Sequence, residues 1–193
     1  MSNPVSDQSL NIKSDIPSIL VVDDDGFVLE LLGDFLKEEK YNVITASSGA
    51  EAISRLSALK VDIALVDFKM PGLDGLQTIE ELLKIDQDVV AVLMTGFPTI
   101  ESSVKAIKMG ASDYIIKPFK LEEVSLSVRK AIREREMKLE VKILRKKILE
   151  LEKNVNEKKE TIKINQHLGV VTTLEGYSTR VVSPGEPAKD VSD

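Results

Sequence analysis

Val61-Asp62-Ile63-Ala64-Leu65-Val66-Asp67-Phe68-Lys69-Met70-Pro71-Gly72 is the stretch of sequence that decides the fold. Its apolar run from Ile63 to Val66 is typical of a strand buried on both faces of a parallel sheet. The run ends in a carboxylate, Asp67, and the Met-Pro-Gly segment that follows stops the strand. Ligands of open α/β sheets bind beyond the carboxyl ends of strands, so Asp67 is placed to meet a ligand. An Asp here also suits a turn or a helix cap, and the rest of the chain decides between these interpretations.

The composition excludes several classes of function. The 193 residues carry a net charge of -6, which is a poor basis for non-specific binding of nucleic acid. The absence of cysteine excludes disulfides and thiolate chemistry, and the single histidine, His167, gives no basis for a histidine metal cluster or a Ser-His-Asp triad. No apolar run approaches the roughly 20 residues that span a bilayer, and the N-terminus lacks a signal segment. We expect a cytoplasmic protein that binds neither nucleic acid nor membrane.

Apolar segments typical of strands alternate with helical patterns along the chain. The predicted strands are Ser18–Val22, Tyr41–Ala46, Ile63–Asp67, Val89–Met94 and Tyr114–Ile116. Between them, apolar residues recur at the helical spacing of three and four. This alternation predicts an α/β domain with a five-stranded, parallel, doubly wound sheet.

Polar side chains follow four of these strands, at the point where each strand ends. They are Asp23 and Asp24, Asp67, Thr95 and Lys117. Each has a purely structural alternative: the acids suit a helix N-terminus, Thr95 suits a strand end, and Lys117 suits the surface. Because the carboxyl ends of parallel strands meet at one edge, their common position favours a shared site. The Lys117–Pro118 sequence also allows a cis peptide bond there.

The chemistry open to such a set is narrow. It offers carboxylates for one divalent ion, Mg²⁺ or Mn²⁺, together with a reacting carboxylate, a hydroxyl group and an ammonium group. No glycine-rich nucleotide loop follows the first strand, and a serine hydrolase would lack its base. Phosphoryl transfer to or from a carboxylate remains.

Four segments, in this order and spacing, resemble the receiver domain of two-component response regulators, especially those heading transcription activators. They are Val21–Asp24, Val66–Gly75, Met94–Gly96 and Gly110–Phe119. The resemblance covers about Ile19 to Arg133 and implies the flavodoxin-like receiver fold. It also implies a signalling protein that catalyses only its own phosphorylation and dephosphorylation.

The resemblance implies a role for each acidic residue. Asp67 is the phospho-acceptor and takes a phosphoryl group from a phosphohistidine on a sensor histidine kinase. Asp24, Asp67 and the backbone carbonyl of Lys69 bind Mg²⁺ directly, whereas Asp23 acts mainly through metal-bound water. An aspartyl phosphate adds negative charge beside existing carboxylates, which agrees with a need for a cation.

The resemblance also implies a conformational switch. Lys117 and Thr95 bind the phosphoryl oxygens, and Tyr114 turns inward when Thr95 moves, which changes the surface around the fourth helix and fifth strand. Lys69 and Phe97 occupy the positions that tune the phosphoryl lifetime in this family. We interpret the bulky Phe97 as a shield against water; its alternative role is packing on the fourth helix.

A heptad pattern follows the receiver. Position a holds Val141, Ile148, Val155 and Ile162, and position d holds Met137, Leu144, Leu151 and Lys158. β-Branched a residues with Leu-type d residues favour a parallel two-stranded coiled coil, and Glu140–Arg145 and Lys147–Glu152 are attractive between chains. We therefore expect a homodimer; the alternative is a single solvated helix.

The predicted organisation has four parts: a disordered segment at 1–17, the receiver at 18–133, a coiled-coil helix at 134–165 and a flexible tail at 166–193. We recognise no output domain, so the downstream partner is an unidentified protein. Two alternatives are a phosphorelay shuttle and a fragment of a longer transcription regulator. An α/β phosphatase would need a second acid where Lys69 stands.

Overall fold

The computed structural model describes residues 16–96, 98–167, 170–171 and 180–181. Nearly all of the predicted disordered segment, most of the predicted tail and the predicted shield Phe97 lie outside these residues. No helix within the described ranges is long and apolar enough to cross a membrane. The chain divides into two compact units, with the boundary between Leu139 and Glu140.

The first unit is built on a five-stranded parallel sheet, which confirms the predicted doubly wound fold. The strands lie in the order β2-β1-β3-β4-β5. They are β1 (Ser18–Val22), β2 (Asn42–Ala46), β3 (Ile63–Asp67), β4 (Val90–Thr95) and β5 (Ala111–Ile116). The helices are α1 (Gly26–Glu38), α2 (Gly49–Ala58), α3 (Gly75–Ile85), α4 (Ile100–Lys108) and α5 (Leu121–His167). The long C-terminal helix is also as predicted.

Both faces of the sheet are covered because the central strands are apolar apart from a polar residue at one end. Successive side chains of a strand point to opposite faces. Leu20 and Val22 therefore join the core formed with α2 and α3, while Ile19 and Val21 join the core formed with α1 and α5. The strand order reverses between β1 and β3, and the crevice at this point opens at their carboxyl ends.

The fifth strand begins three residues earlier than its apolar run indicates. In its ladder with β4, Ala111 pairs with Ala91 and Asp113 pairs with Val92, so the register skips Ser112. The skipped residue makes a β-bulge. Because Ser112 and Asp113 are polar, the apolar pattern did not predict this part of the strand.

Residues beyond the predicted receiver boundary also contact the sheet. The Arg135 guanidinium Nη2 lies 2.5 Å from Asp62 Oδ1, just before β3 begins. Glu134 accepts a hydrogen bond from Ser112 Oγ on β5. Both residues lie past Arg133, the predicted end of the receiver, and belong to the first unit.

Outside the first unit, the described part of the chain contains the remainder of α5 and two short strands. β6 (Val170–Val171) pairs with β7 (Arg180–Val181) in an antiparallel ladder. The sequence did not predict this pairing, because two-residue apolar runs carry no detectable period.

Candidate functional site

The structure brings the predicted site residues of three strands together at the carboxyl edge of the sheet. Lys117 Nζ lies 2.6 Å from Asp67 Oδ1 and 2.6 Å from Asp23 Oδ2. The Lys69 backbone N–H donates to Asp67 Oδ2 at 2.8 Å. Asp67 is 6% exposed and Asp23 1% exposed, so both carboxylates meet Lys117 in a largely desolvated crevice.

The three consecutive acids after β1, Asp23 to Asp25, lie in different environments. Asp23 Oδ1 accepts the Asp25 backbone N–H at 3.0 Å, which fixes the carboxylate in the crevice. Asp25 caps α1, since its Oδ1 accepts the Phe27 N–H at 2.9 Å. Asp24 is exposed and is not used as the cap. The N-terminal capping alternative therefore accounts for Asp25 and leaves Asp23 and Asp24 for the crevice.

The acidic residues fit a hard divalent cation. One carboxylate oxygen from each of Asp23, Asp24 and Asp67 lies within 4.8 Å of the others. Carboxylate oxygens without nitrogen or sulfur ligands suit Mg²⁺, which is commonly held by one or two carboxylates and completed by water. The donor chemistry and spacing therefore agree with the predicted magnesium site.

Burial and the neighbouring charged groups shift the pKa values of Asp23 and Lys117 in opposite directions. Burial raises the pKa of the Asp23 carboxyl, and hydrogen bonds from Lys117 and the Asp25 backbone offset only part of that effect. Burial alone would lower the pKa of the Lys117 ammonium, but hydrogen bonds to Asp23 and Asp67 outweigh it and raise that pKa. One ammonium thus contacts two of the three clustered carboxylates, and the excess negative charge favours a further cation.

The two predicted switch residues occupy different environments. Thr95 is buried at the end of β4, and its carbonyl oxygen accepts the Lys117 backbone N–H at 2.7 Å. Tyr114 on β5 is 42% exposed. The Lys117–Pro118 peptide bond is cis, as its sequence allowed. The switch pair therefore combines a hydroxyl residue at the crevice edge with an aromatic residue that faces outward.

Gly75 is a supporting residue that sequence reasoning missed. A Cβ at this position would collide with the backbone of Asp67 and Phe68. The Gly75 N–H also donates to the Phe68 carbonyl oxygen at 3.0 Å. The available signal was the Asp74-Gly75 pair, in which Asp74 caps α3 and Gly75 begins it. Glycine at this point lets α3 pack directly against the backbone that carries Asp67.

Comparison with known proteins agrees with the fold. Residues 19–129 match the family described as the response regulator receiver domain. The regulatory protein AtoC of Escherichia coli is 33% identical over 129 residues, which cover 67% of this chain and 28% of AtoC. The chain thus spans less than a third of that relative's length.

Two solved structures show the same architecture. A receiver domain protein from Methanospirillum hungatei is 27% identical with a TM-score of 0.62, covering 64% of this chain and 99% of that protein. The response regulator TrrA of Thermotoga maritima, solved in complex with Mg²⁺ and BeF, is 33% identical with a TM-score of 0.55. That match covers 60% of this chain and 99% of TrrA.

Proposed function

The chain belongs to the response regulator receiver family, and we propose that it is the phospho-accepting component of a two-component system with Asp67 as the acceptor. The family consists of signalling receivers related to transcription regulators and is not a catalytic family. The observation that carries the proposal is the position of Asp67, whose carboxylate meets Lys117 and lies within 4.8 Å of two further acids. A structural Asp needs a hydrogen-bond donor, but it does not need two neighbouring acids.

The proposed reaction transfers a phosphoryl group from a phosphohistidine of a sensor kinase. An Asp67 carboxylate oxygen attacks phosphorus, the P–N bond breaks, and its electron pair returns to the departing imidazole. Lys117 and Thr95 hold the phosphoryl oxygens, and Lys117 is already in place beside Asp67. Mg²⁺, bound by Asp24, Asp67 and the Lys69 carbonyl with Asp23 acting through water, would neutralise charge on the phosphoryl group. TrrA, whose structure contains Mg²⁺ and BeF, supports this assignment.

The kinase would approach the carboxyl edge of the sheet. Phe27 begins the exposed face of α1 beside the acidic loop and is 70% exposed. Leu31, one turn further along α1, is also exposed, and exposed apolar side chains that lie together mark interaction surfaces. We assign Phe27 to the surface that receives the sensor kinase.

The proposed switch follows from the positions of Thr95 and Tyr114. Movement of the Thr95 hydroxyl towards a phosphoryl group would vacate space at the end of β4, and the outward Tyr114 would turn into it. The affected face already carries exposed apolar side chains of α4, β5 and α5. They are Val104, Ile107, Tyr114, Ile116 and Leu126. We assign this face to the unidentified downstream protein.

Dimerisation is assigned to the coiled-coil seam, defined as the a and d residues from Met137 to Ile162. The apolar seam side chains are all exposed in the single chain. A lone helix gains nothing from an apolar stripe in water, whereas a parallel partner helix would bury it. The Glu140–Arg145 and Lys147–Glu152 pairs would add weak attraction between the two chains.

Phosphorylation with acetyl phosphate and Mg²⁺ tests the proposal directly. Intact-mass measurement should show one added phosphoryl group on the wild-type chain and none on Asp67→Asn. Asp34→Asn is the matched control, because Asp34 is an exposed acid on α1 away from the crevice. An unmodified wild-type chain, or a modified Asp67→Asn chain, would contradict the assignment.

A further inference from the structure

The bulge in β5 directs two neighbouring side chains towards the same helix. Adjacent residues of a regular strand point to opposite faces of the sheet. Here the ladder with β4 skips Ser112, and both Ser112 and Asp113 contact α5. Bulges commonly redirect side chains in this way next to functional sites.

The α5 residues bound to this pair are polar. Ser112 Oγ donates to Glu134 Oε2, and Lys138 Nζ lies 3.1 Å from Glu134 Oε1. Ser127 Oγ donates to Asp113 Oδ2 at 3.4 Å, and Lys130 Nζ lies 3.2 Å from the same oxygen. Burial alone would raise the pKa of Glu134, but hydrogen bonds with Ser112 and Lys138 outweigh it and hold that pKa below its ordinary value. Glu134 is therefore a carboxylate at neutral pH.

These polar residues continue the heptads of the coiled-coil seam. Counting back from Val141 in sevens reaches Glu134 and Ser127, which are a positions. Counting back from Met137 reaches Lys130, a d position. Apart from Lys158, the stripe is apolar and exposed from Met137 to Ile162. Before Met137 it is polar and bonded to β5 of its own chain.

Asp113 is also hydrogen-bonded to Tyr114, the predicted switch residue. Asp113 Oδ1 accepts the Tyr114 backbone N–H at 3.0 Å, while its Oδ2 contacts α5. One carboxylate therefore links the backbone of Tyr114 to the stripe on α5.

We propose that Ser112 and Asp113 couple the receiver switch to the dimer by holding Glu134 and its neighbours away from a second copy of the chain. This inference rests on the proposed dimer and deepens it by assigning its regulation. When Tyr114 turns inward, the bonds from β5 loosen and Glu134 is released. An a position faces its own copy in a parallel dimer, so two released Glu134 carboxylates repel each other. Phosphorylation therefore weakens the dimer, and dimerisation reciprocally disfavours phosphorylation.

Sedimentation of the full chain with and without beryllofluoride and Mg²⁺ tests the coupling. The wild-type dimer dissociation constant should rise about threefold to tenfold with beryllofluoride, since tenfold corresponds to about 1.4 kcal/mol of repulsion. The Ser112→Ala/Asp113→Ala chain should show the raised constant already without beryllofluoride and respond no further. Glu134→Gln should keep the low constant in both states, because it cannot generate the repulsion.

Controls separate this inference from the proposed function. Lys84→Ala breaks only exposed ion pairs of α3 and should respond as the wild type does. Beryllofluoride binding and helical content, measured on every variant, establish that each chain is folded and competent. A wild-type dimer that binds beryllofluoride without any change in dissociation constant would overturn the coupling alone. A full response in both Ser112→Ala/Asp113→Ala and Glu134→Gln would also overturn it. A chain that is monomeric throughout would overturn the proposed dimer as well.

Discussion

Asp62 and Arg135 form a buried ion pair at the edge of the sheet opposite Asp67. Arg135 Nη2 lies 2.5 Å from Asp62 Oδ1, and Asp62 Oδ2 accepts the Ser18 backbone N–H at 2.7 Å. Arg135 Nε is buried and lacks a hydrogen-bond partner among the described residues. The pair joins α5 to the residue before β3. Arg135 lies beyond residue 129, where the family match ends. Removal of either partner of such a pair leaves an uncompensated buried charge, which is strongly destabilising.

Removing one partner of this pair should destabilise the receiver. Asp62→Asn keeps an oxygen for the Ser18 N–H but leaves the Arg135 charge buried and unpaired, so the free energy of unfolding should fall by about 3 kcal/mol. Urea unfolding measures the loss. Lys84→Ala, which breaks only exposed pairs, should change stability by less than about 1 kcal/mol. Equal stability of Asp62→Asn and the wild-type chain would show that the pair is solvated.

Gly75→Ala should disturb the acceptor backbone. The new Cβ would meet the backbone of Asp67 and Phe68, so α3 or the acceptor loop must move. We expect the free energy of unfolding to fall by about 1–3 kcal/mol, with slower phosphorylation by acetyl phosphate. Gly26→Ala is the matched control, because nothing lies within 4 Å of its Cβ. Gly26→Ala should stabilise the chain by about 0.5 kcal/mol. Similar losses of stability in both variants would contradict close packing at Gly75.

The central fold was readable from the sequence because β1, β3 and β4 are buried on both faces and are therefore apolar apart from one end residue each. The crevice was readable because Asp23, Asp67 and Lys117 each follow a strand, and parallel strands meet at one edge. Asp25 illustrates the limit of this reasoning. Asp23, Asp24 and Asp25 are consecutive acids that all suit a helix N-terminus, and only the structure shows that Asp25 caps α1.

Contacts between polar residues away from the crevice were not readable. The β5 bulge places Ser112 and Asp113 on α5, yet both look like turn residues in the sequence. The Asp62–Arg135 pair is likewise invisible to periodicity, since neither residue belongs to an apolar pattern. Such contacts depend on how α5 packs against the sheet, and a one-dimensional pattern does not contain that geometry.

The raised pKa of Asp23 makes a pH-dependent prediction. A carboxyl whose pKa is higher in the folded than in the unfolded chain binds protons more tightly when folded. The charged carboxylate therefore lowers the free energy of unfolding. This loss is complete above the pKa of the folded chain and disappears below the ordinary value of 3.8. Without Mg²⁺, Asp23→Asn should be more stable than the wild type at pH 7, and the difference should vanish below pH 3.8. Urea unfolding across this range checks it; a difference that grows on acidification would contradict the sign.

Magnesium should stabilise the wild-type chain through the acidic cluster. An ion that binds only the folded state at about 10 times its dissociation constant adds about 1.4 kcal/mol to the free energy of unfolding. Asp24→Asn and Asp67→Asn should each lose most of this gain, since each removes one of the three neighbouring carboxylates. NaCl at equal ionic strength controls for screening. An equal response to NaCl and MgCl₂ would argue against a specific site.

The seam of the proposed dimer is tested most sharply by two leucines that lie two residues apart. Leu151 occupies a d position and is 55% exposed in the single chain, whereas Leu149 lies outside the seam and is 65% exposed. Burying a leucine in a dimer contributes about 1.5–3 kcal/mol per chain, and a buried unpaired carboxylate costs more. Leu151→Asp should therefore raise the dimer dissociation constant by more than about 100-fold, because both chains carry the change. Leu149→Asp introduces the same charge on the same helix and should leave the constant nearly unchanged. Sedimentation equilibrium distinguishes the two variants, and an equal loss of dimer in both would mean that the helix associates through another face.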